Sequence, residues 1–346
     1  MNRRTFTEKL TFGLPFLALG STKASAPCLA TPERLLPRRL QPGDTIGIIT
    51  PGSFISDEDF QKAVDKVLSF GFRVKLGKHV RAQRGFNAGT DQQRLDDLHL
   101  MFSDQSVAGI WCARGGYGCS RLLPYLDYEL IRRNPKALIG FSDITALLNA
   151  IYHKTGLVGF HGPNAGSQWT DYTETHFRAV LMEGRAPHLI ELAPENLANP
   201  AGHYQAFSIR QGTARGRLVG GNLALLAALC GTGYLPDCQD KLTFIEDIGE
   251  RPYRIDRMLT QLRQAWPLGQ AAGIALGIFE DCQPKEAELS LSLADTLKDR
   301  LEGLNIPAIY GLSFGHIANQ CTLPIGIEAE LDVAAQRLTL LEAAVT

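Results

Sequence analysis

The sequence predicts an α/β protein: a doubly wound parallel sheet, followed by a second, smaller α/β domain with a mixed sheet. Between residues 45 and 160, apolar runs of strand length alternate with segments of helical periodicity, and repeated βα units of this kind form parallel sheets through right-handed crossovers. After residue 211 the strand-like runs are short and less regularly spaced. A chain of 346 residues, 45% of them apolar, is long enough for two domains.

The first domain, residues 31–165, is expected to contain five strands joined by helices. Ser56 is placed to cap the first helix and Gly71 to end it, while Thr90 opens the second helix. A third helix is expected around Leu122 to Ile131, and a fourth follows Ser142. The strands are predicted at residues 45–50, 73–76, 107–113, from 137 up to Ser142, and 157–160.

The second domain, residues 212–346, is expected after a connection at 166–211, where the sequence becomes polar and contains several prolines. Strand-like and helix-like segments alternate in this domain, which indicates a mixed sheet, but the pattern does not define its topology. Strands are predicted at residues 216–219, 242–245, 274–279 and 338–341, and helices at 223–229, 253–265 and 292–301.

Residues 1–30 are interpreted as an export leader. Arg3 and Arg4 precede a moderately apolar run from residue 10 to residue 19, and residues 24–26 have the small-x-small form of a signal-peptidase site. The pattern predicts a twin-arginine leader and a periplasmic protein, the alternative being a ragged or membrane-tethered terminus. The apolar run is too short to span a bilayer, so stable membrane insertion is not expected.

Composition argues against several classes of function. With a formal net charge of -1, the chain lacks the excess positive charge that nucleic-acid binding requires, so the substrate is expected to be a small molecule. The seven cysteines form no CxxC pair and no regular framework, which argues against a zinc site and against a disulfide scaffold. No metal and no cofactor are expected.

Ser142 lies where an apolar strand turns into a helix. A serine at the carboxyl end of a buried strand is lifted out of the sheet, next to the free N–H groups that begin the helix, and could act as a nucleophile. The alternative is that Ser142 or Asp143 caps the helix.

A glycine-rich turn, residues 114–118, follows the third predicted strand. Its glycines allow backbone N–H groups to approach a ligand, which suits an oxyanion hole or a phosphate cradle, although a simple tight turn has the same composition. The turn lacks the Lys-Ser/Thr of a P-loop.

Two later segments could activate a serine. Glu246 and Asp247 end an apolar strand, and His316 follows a turn flanked by glycines. A hydroxyl nucleophile needs a base, and that base needs a carboxylate; Ser142, His316 and Glu246 could fill these roles. Alternatively, Asp247 caps the following helix and His316 is structural.

Five stretches of the sequence are informative in combination. They are GDTIG at residues 43–47, RGGYG at 114–118, NPK at 134–136 with GFSD at 140–143, FHGP at 160–163 and GGN at 220–222. Together these stretches resemble the LD-carboxypeptidase family of serine peptidases, and the Glu246 and His316 segments follow in the family's order. The resemblance extends over residues 40–341.

The resemblance implies roles for individual residues. Ser142 would be the nucleophile, Glu246 the carboxylate and His316 the general base, with an oxyanion hole formed by the backbone N–H groups of Gly116 and Asp143. It also implies a Rossmann-like domain and a smaller swivelling-type domain that bears the glutamate and the histidine. The site would then lie between the domains.

The implied reaction is release of the terminal D-alanine from the L,D-bond of a murein tetrapeptide, through an acyl-enzyme. Arg114 is the candidate for binding the substrate carboxylate, Arg254 and Arg257 are weaker candidates, and Tyr117 and His161 would line the pocket. The alternatives are cleavage of a peptidyl-nucleotide or similar amide, as in microcin immunity, and a non-catalytic peptide-binding protein. The family suggests a homodimer and, from its murein-recycling members, a cytoplasmic alternative for localisation.

Overall fold

The computed structural model describes residues 32–346. The leader predicted at residues 1–30 lies outside the described residues. The strands are β1 (Thr45–Ile49), β2 (Arg73–Leu76), β3 (Val107–Cys112), β4 (Ala137–Gly140), β5 (Phe160–His161), β6 (His188–Ile190), β7 (Phe207–Arg210), β8 (Thr213–Asn222), β9 (Leu242–Glu246), β10 (Gly273–Ile278), β11 (Ala308–Gly315), β12 (Leu323–Pro324), β13 (Glu328–Asp332) and β14 (Arg337–Leu340).

Helices cover and connect these strands. They are α1 (Asp57–Ser69), α2 (Asp91–Ser103), α3 (Tyr128–Arg133), α4 (Thr145–Thr155), α5 (Asp171–Arg178), α6 (Pro194–Leu197), α7 (Leu223–Leu229), α8 (Pro252–Ala265) and α9 (Leu293–Leu301). Within residues 32–346, no helix combines the length and the apolar character needed to cross a membrane.

The first sheet has the strand order β2-β1-β3-β4-β5-β12. Strands β1 to β5 pair in parallel, and β12 closes one edge in the antiparallel direction. The residues of β3 and β4 are all buried, as expected for strands covered on both faces. The order 2-1-3-4-5 is one of the two common doubly wound arrangements, which confirms the predicted fold class.

The second sheet has the order β6-β14-β13-β8-β9-β10-β11-β7. Its four central strands, β8 to β11, are parallel, and each outer strand pairs with its neighbour in the antiparallel direction. This is the mixed sheet that the sequence predicts. It is the wider of the two sheets because short edge strands join it on both sides.

Two of those edge strands come from the segment predicted as a connection. Residues 166–211 contain α5, a π-helical turn at Ala179–Glu183, β6, α6 and β7. Phe177 of α5 stacks on Trp111 of β3 with ring centroids 4.6 Å apart. This segment therefore contributes to the core of the first sheet and to both edges of the second, while the domain boundaries placed at 165 and 212 stay a prediction.

Two further elements differ from the sequence expectation. The helix expected around Leu122 to Ile131 is broken into 3-10 turns at Cys119–Arg121 and Leu123–Tyr125 before α3, because Pro124 has no N–H for a continuous helix. The segment before His316, interpreted as a turn, is the long buried strand β11.

The cysteines within residues 32–346 are free thiols. Five are buried, and Cys230 is half-buried. Burial raises the pKa of the thiols of Cys238, Cys282 and Cys321 to about 12. Burial also raises the pKa of Cys112 and Cys119, with the charge of Asp143 acting in the same direction.

Close contact between β8 and β9 depends on Gly220. Its φ is 146°, and a Cβ placed there would lie 1.8 Å from the carbonyl oxygen of Phe244. We expect Gly220→Ala to lower the free energy of unfolding by roughly 2–4 kcal/mol, because the sheet must open to admit the methyl group. Urea denaturation measures this change.

Gly303→Ala is the matched control, because a Cβ there meets nothing within 4 Å. The free energy of unfolding of this variant should lie within about 0.5 kcal/mol of the parent value. Equal stabilities of the two variants would show that the β8–β9 contact is not tight.

Candidate active site

Ser142 begins a single 3-10 turn, Ser142–Ile144, just after β4 ends. Its φ of 63° lies in the left-handed region, which is strained for a serine. Among the described residues, no side chain caps this turn or the helix α4 that follows it. Ser142 and Asp143 are thus not helix caps. A strained turn at the end of a strand holds the hydroxyl clear of the sheet, as a nucleophile requires.

The glycine-rich turn at residues 114–118 packs directly against the turn of Ser142. A Cβ on Gly115 would lie 3.0 Å from Cβ of Ser142 and 3.3 Å from the backbone nitrogen of Asp143. Gly116 has a φ of 95°, and a Cβ there would lie 2.3 Å from Oγ of Ser53. Only glycines fit at these two positions without moving the neighbouring loops.

Hydrogen bonds fix this turn from two sides. From the loop after β1, the N–H of Ser53 donates to the Gly115 carbonyl (2.9 Å), and Oγ of Ser53 accepts from the N–H of Tyr117 (3.0 Å). From the other side, the buried carboxylate of Asp143 accepts from the N–H of Cys119 (2.9 Å). Burial raises the pKa of Asp143, and the Cys119 N–H opposes that rise.

The backbone N–H groups of Gly116 and Asp143 have no hydrogen-bond acceptor within residues 32–346. They belong to the two turns that meet beside Ser142. Free N–H groups that flank a serine hydroxyl can hold a negatively charged oxygen. This arrangement is chemically suited to the oxyanion hole that the resemblance implies.

His316 and Glu246 form a hydrogen-bonded pair. Nδ1 of His316, which follows β11, lies 2.6 Å from Oε2 of Glu246, the last residue of β9. The Glu246 side chain is fully buried and that of His316 is 15% exposed. Burial opposes both charges, but the mutual attraction outweighs it: the pKa of Glu246 is lowered and that of His316 is raised.

A cavity of about 420 Å³ brings the predicted residues together. Ser142 and His316 both line it, so the end of the first sheet and the end of the second meet here. Because Nδ1 of His316 is engaged by Glu246, Nε2 is the ring nitrogen that remains for a proton transfer. The remaining lining residues are Ile55, Asp59, Ala113, Arg114, Gly115, Gly116, Phe141, Asn164, Gly166 and Ser167.

The residues predicted to bind substrate are dispersed. Arg114 lines the cavity, and its guanidinium donates to the Phe54 carbonyl (3.0 Å). Tyr117 does not line the cavity and is 56% exposed. Its ring packs edge-on against that of Phe86, with the centroids 5.3 Å apart. His161 is only 1% exposed, so the prediction that it lines the pocket is wrong: it is buried between the sheets, against Phe244.

The two weaker arginine candidates lie elsewhere. Arg254 and Arg257 are exposed on α8, and neither lines the cavity of Ser142. Arg254 borders a different cavity, together with Tyr253 and Lys285. Both arginines follow Glu246 closely in sequence, but α8 begins six residues after it and neither side chain reaches the cavity lining.

Asp247, the neighbour of Glu246, has a structural role. Its carboxylate accepts from the Asn222 side chain (3.0 Å), from the N–H of Ala224 (3.1 Å) and from its own neighbour Ile248 (2.8 Å). It thus holds the start of α7, an earlier helix, and does not cap the following one. Burial and the charge of Glu246 raise the pKa of Asp247 to about 7.

The sequence did not point to two residues that line the site. Asn164 lines the cavity, and its Oδ1 accepts from the N–H of Phe141 (3.4 Å). Asp59 also lines the cavity, although in the sequence it is only one of three acids in the first turn of α1. Asn164 directly follows the FHGP stretch, and this position was the one available signal.

Comparison with known proteins identifies both halves of the chain. Residues 46–162 match the LD-carboxypeptidase N-terminal domain, and residues 215–331 match the LD-carboxypeptidase C-terminal domain. Together the two matches extend over more than half of the 346 residues.

Three relatives illustrate the range of similar proteins. A probable murein peptide carboxypeptidase of Bacillus subtilis is 39% identical over 315 residues, which cover 90% of this chain and 95% of that protein. The murein tetrapeptide carboxypeptidase of Pseudomonas aeruginosa is 35% identical and covers 83% and 92%. The structure of the microcin C7 self-immunity protein MccF with aspartyl sulfamoyl adenosine has a TM-score of 0.80 at 27% identity and covers 90% and 100%.

The pKa of Asp247 gives a testable pH dependence of stability. The folded protein binds this proton more tightly than an ordinary aspartate with a pKa of 3.8. The contribution of protonated Asp247 to the free energy of unfolding is therefore complete below about pH 3.8 and is lost as the pH rises through about 7. Asn cannot ionise, so the variant does not lose this stability. The Tm of Asp247→Asn minus that of the parent protein should therefore increase by several degrees between pH 5 and pH 8.

Thermal unfolding of both proteins across that range measures the difference. Asp65→Asn, on the exposed face of α1, is the control and should keep a constant offset from the parent. Parallel curves for Asp247→Asn and the parent would contradict the raised pKa.

Proposed function

The chain belongs to the LD-carboxypeptidase family, and we propose that it is a serine carboxypeptidase that releases the terminal D-alanine of murein tetrapeptides from an L,D-peptide bond. One observation carries the proposal. Ser142, in a strained turn beside two free N–H groups, lines the same cavity as a histidine that is hydrogen-bonded to a buried carboxylate.

The reaction begins with formation of a tetrahedral intermediate on Ser142. Nε2 of His316 takes the proton of the Ser142 hydroxyl as Oγ attacks the carbonyl carbon before the terminal residue. The carbonyl oxygen becomes an oxyanion and accepts hydrogen bonds from the N–H groups of Gly116 and Asp143. Glu246 stabilises the imidazolium that forms on His316.

The next steps form the acyl-enzyme and then hydrolyse it. The tetrahedral intermediate collapses, the C–N bond breaks, and His316 donates its proton to the departing amine of D-alanine. His316 then removes a proton from a water molecule, which attacks the ester carbonyl of the acyl-enzyme. Breakdown of this second intermediate frees the shortened peptide and returns the proton to Oγ of Ser142.

Substrate choice is supported by the cavity and by the relatives. An exopeptidase must hold a terminal carboxylate, and Arg114 places a guanidinium in the lining of the cavity. The relatives named for murein peptides are 39% and 35% identical, whereas MccF is 27% identical. These identities favour the murein peptide over the aminoacyl nucleotide.

Cleavage of an aminoacyl or peptidyl nucleotide is the second candidate, favoured by the high structural similarity to MccF. It would use the same serine, histidine and glutamate with a different leaving group. A non-catalytic peptide-binding protein would have no need for the strained serine, so a phosphonate probe that labels Ser142 would distinguish an active peptidase from a binding protein.

Ser142→Ala tests the proposed nucleophile. We expect a folded protein whose kcat for a murein tetrapeptide ending in D-alanine falls by roughly 10⁴-fold or more, because no other group can form the acyl-enzyme. Ser69→Ala, at the exposed end of α1, is the control and should keep full activity.

Mass spectrometry of the products identifies the bond that is cut. The panel comprises the tetrapeptide ending in D-alanine, the same peptide ending in L-alanine, and aspartyl sulfamoyl adenosine. Turnover by folded Ser142→Ala would refute the mechanism, and preference for the nucleotide would select the second candidate.

We further propose that residues 1–30 direct the protein to the periplasm through the twin-arginine route. Substituting both Arg3 and Arg4 by Lys in a fusion to a periplasm-dependent reporter should abolish export, since the route requires the arginine pair. The same fusion with Lys9→Arg is the control. Unchanged export of the Arg3→Lys, Arg4→Lys fusion would remove the twin-arginine claim and favour another export route, whereas no export of the unsubstituted fusion would favour a cytoplasmic protein.

A further inference from the structure

The imidazole of His161 has no assigned role. It is 1% exposed, and neither ring nitrogen has a hydrogen-bond partner within residues 32–346. Buried polar side chains are normally paired, and an unpaired one calls for a functional explanation. His161 lies on β5 of the first sheet but faces the second sheet, where its ring packs against Phe244 at 5.2 Å.

These contacts place His161 beside the His316–Glu246 pair. Phe244 and Glu246 are two residues apart on β9, so their side chains leave the same face of the strand. Phe141 contacts both histidines, with its ring centroid 6.1 Å from that of His161 and 4.7 Å from that of His316. His161 thus lies near the pair without lining the cavity.

The carboxylate of Glu246 is also incompletely hydrogen-bonded within the described residues. Its Oε2 is bonded to His316, whereas Oε1 is buried without a hydrogen-bond partner within the described part of the chain. A carboxylate that remains ionised at zero exposure requires donors or positive charge around it. His161 offers an N–H, and Glu246 an acceptor, in the same closed space.

We propose that His161 is a positioning residue: an uncharged imidazole whose N–H faces the carboxylate of Glu246 and keeps that carboxylate ionised and aligned for His316. This inference rests on the proposed peptidase function, because it concerns the same histidine and glutamate. Since His161 lies outside the cavity lining, it acts through Glu246 and not on the substrate.

The charge state of His161 fits this role. Burial lowers its pKa to about 4; Glu246 opposes this shift and His316 favours it. The ring is therefore neutral at physiological pH and presents one N–H without competing with His316 as a second cation. The other groups that act on the pair are Asn222, which lowers the pKa of Glu246, and Asp247 and Glu280, which raise that of His316.

The expected effect on catalysis has a definite sign. A donor directed at Glu246 stabilises the carboxylate most when His316 is neutral, since the imidazolium no longer neutralises it. His161 thus favours the deprotonated, active form of the pair and lowers its apparent pKa. Removing the donor must move the acid limb of the kcat/KM profile to higher pH.

His161→Phe and His161→Gln test this assignment, with kcat/KM for the murein tetrapeptide measured from pH 5 to pH 9. Phe retains a ring of similar shape without an N–H. In this variant the acid limb should move to higher pH by roughly one unit, and kcat should fall on the order of tenfold. Gln retains an uncharged donor and should restore the parent profile. Thr322→Val, which replaces a buried hydroxyl that has no hydrogen-bond partner among the described residues, is the control and should leave the acid limb unmoved.

A folded His161→Phe with the parent acid limb would overturn the proposal, as would a Gln variant shifted as far as the Phe variant. If His161→Phe does not fold, His161→Leu and His161→Gln are compared in its place, and equal acid limbs for these two would overturn it. The parent protein run alongside separates the two hypotheses, because failure of the parent to cleave the tetrapeptide would count against the proposed function itself.

Discussion

The hydrogen bond between His316 and Glu246 is the interaction on which the arrangement of the site depends. It joins the ends of β9 and β11, which both flank β10 and run parallel to it, so their carboxyl ends emerge on the same side of the second sheet. The bond fixes one ring nitrogen and leaves the other toward the cavity. Without the parallel centre of this sheet, the two residues would not meet.

The first sheet supplies the other half by the same rule. In doubly wound sheets ligands bind beyond the carboxyl ends of the strands, and Ser142 and the 114–118 turn follow β4 and β3. Asp143 connects these parts: its carboxylate holds the turn through Cys119, while its own N–H stays free beside Ser142. Asp143 therefore helps to fix the turn and also provides a free N–H beside Ser142.

The sequence was sufficient for the regular parts of the fold. Strands β1, β3 and β4 are unbroken apolar runs, and the family motifs located Ser142, Glu246 and His316. It was insufficient for β11, because Gly311 and Gly315 interrupt the apolar run and resemble turn residues, and for the short edge strands β6 and β7. Burial is a property of the packed structure, which is why the sequence alone could not separate the buried His161 from the cavity-lining Arg114.

The free thiols have a consequence for the environments in which this fold can persist. Thiol oxidation and disulfide exchange proceed through the thiolate, and a buried thiol with a raised pKa forms almost none at neutral pH. The half-buried Cys230 is the position in the described chain where an alkylating reagent or an oxidant would first gain access. The five buried thiols are thus protected from oxidants and alkylating reagents, and the cysteines of residues 32–346 form no disulfide that reduction could break.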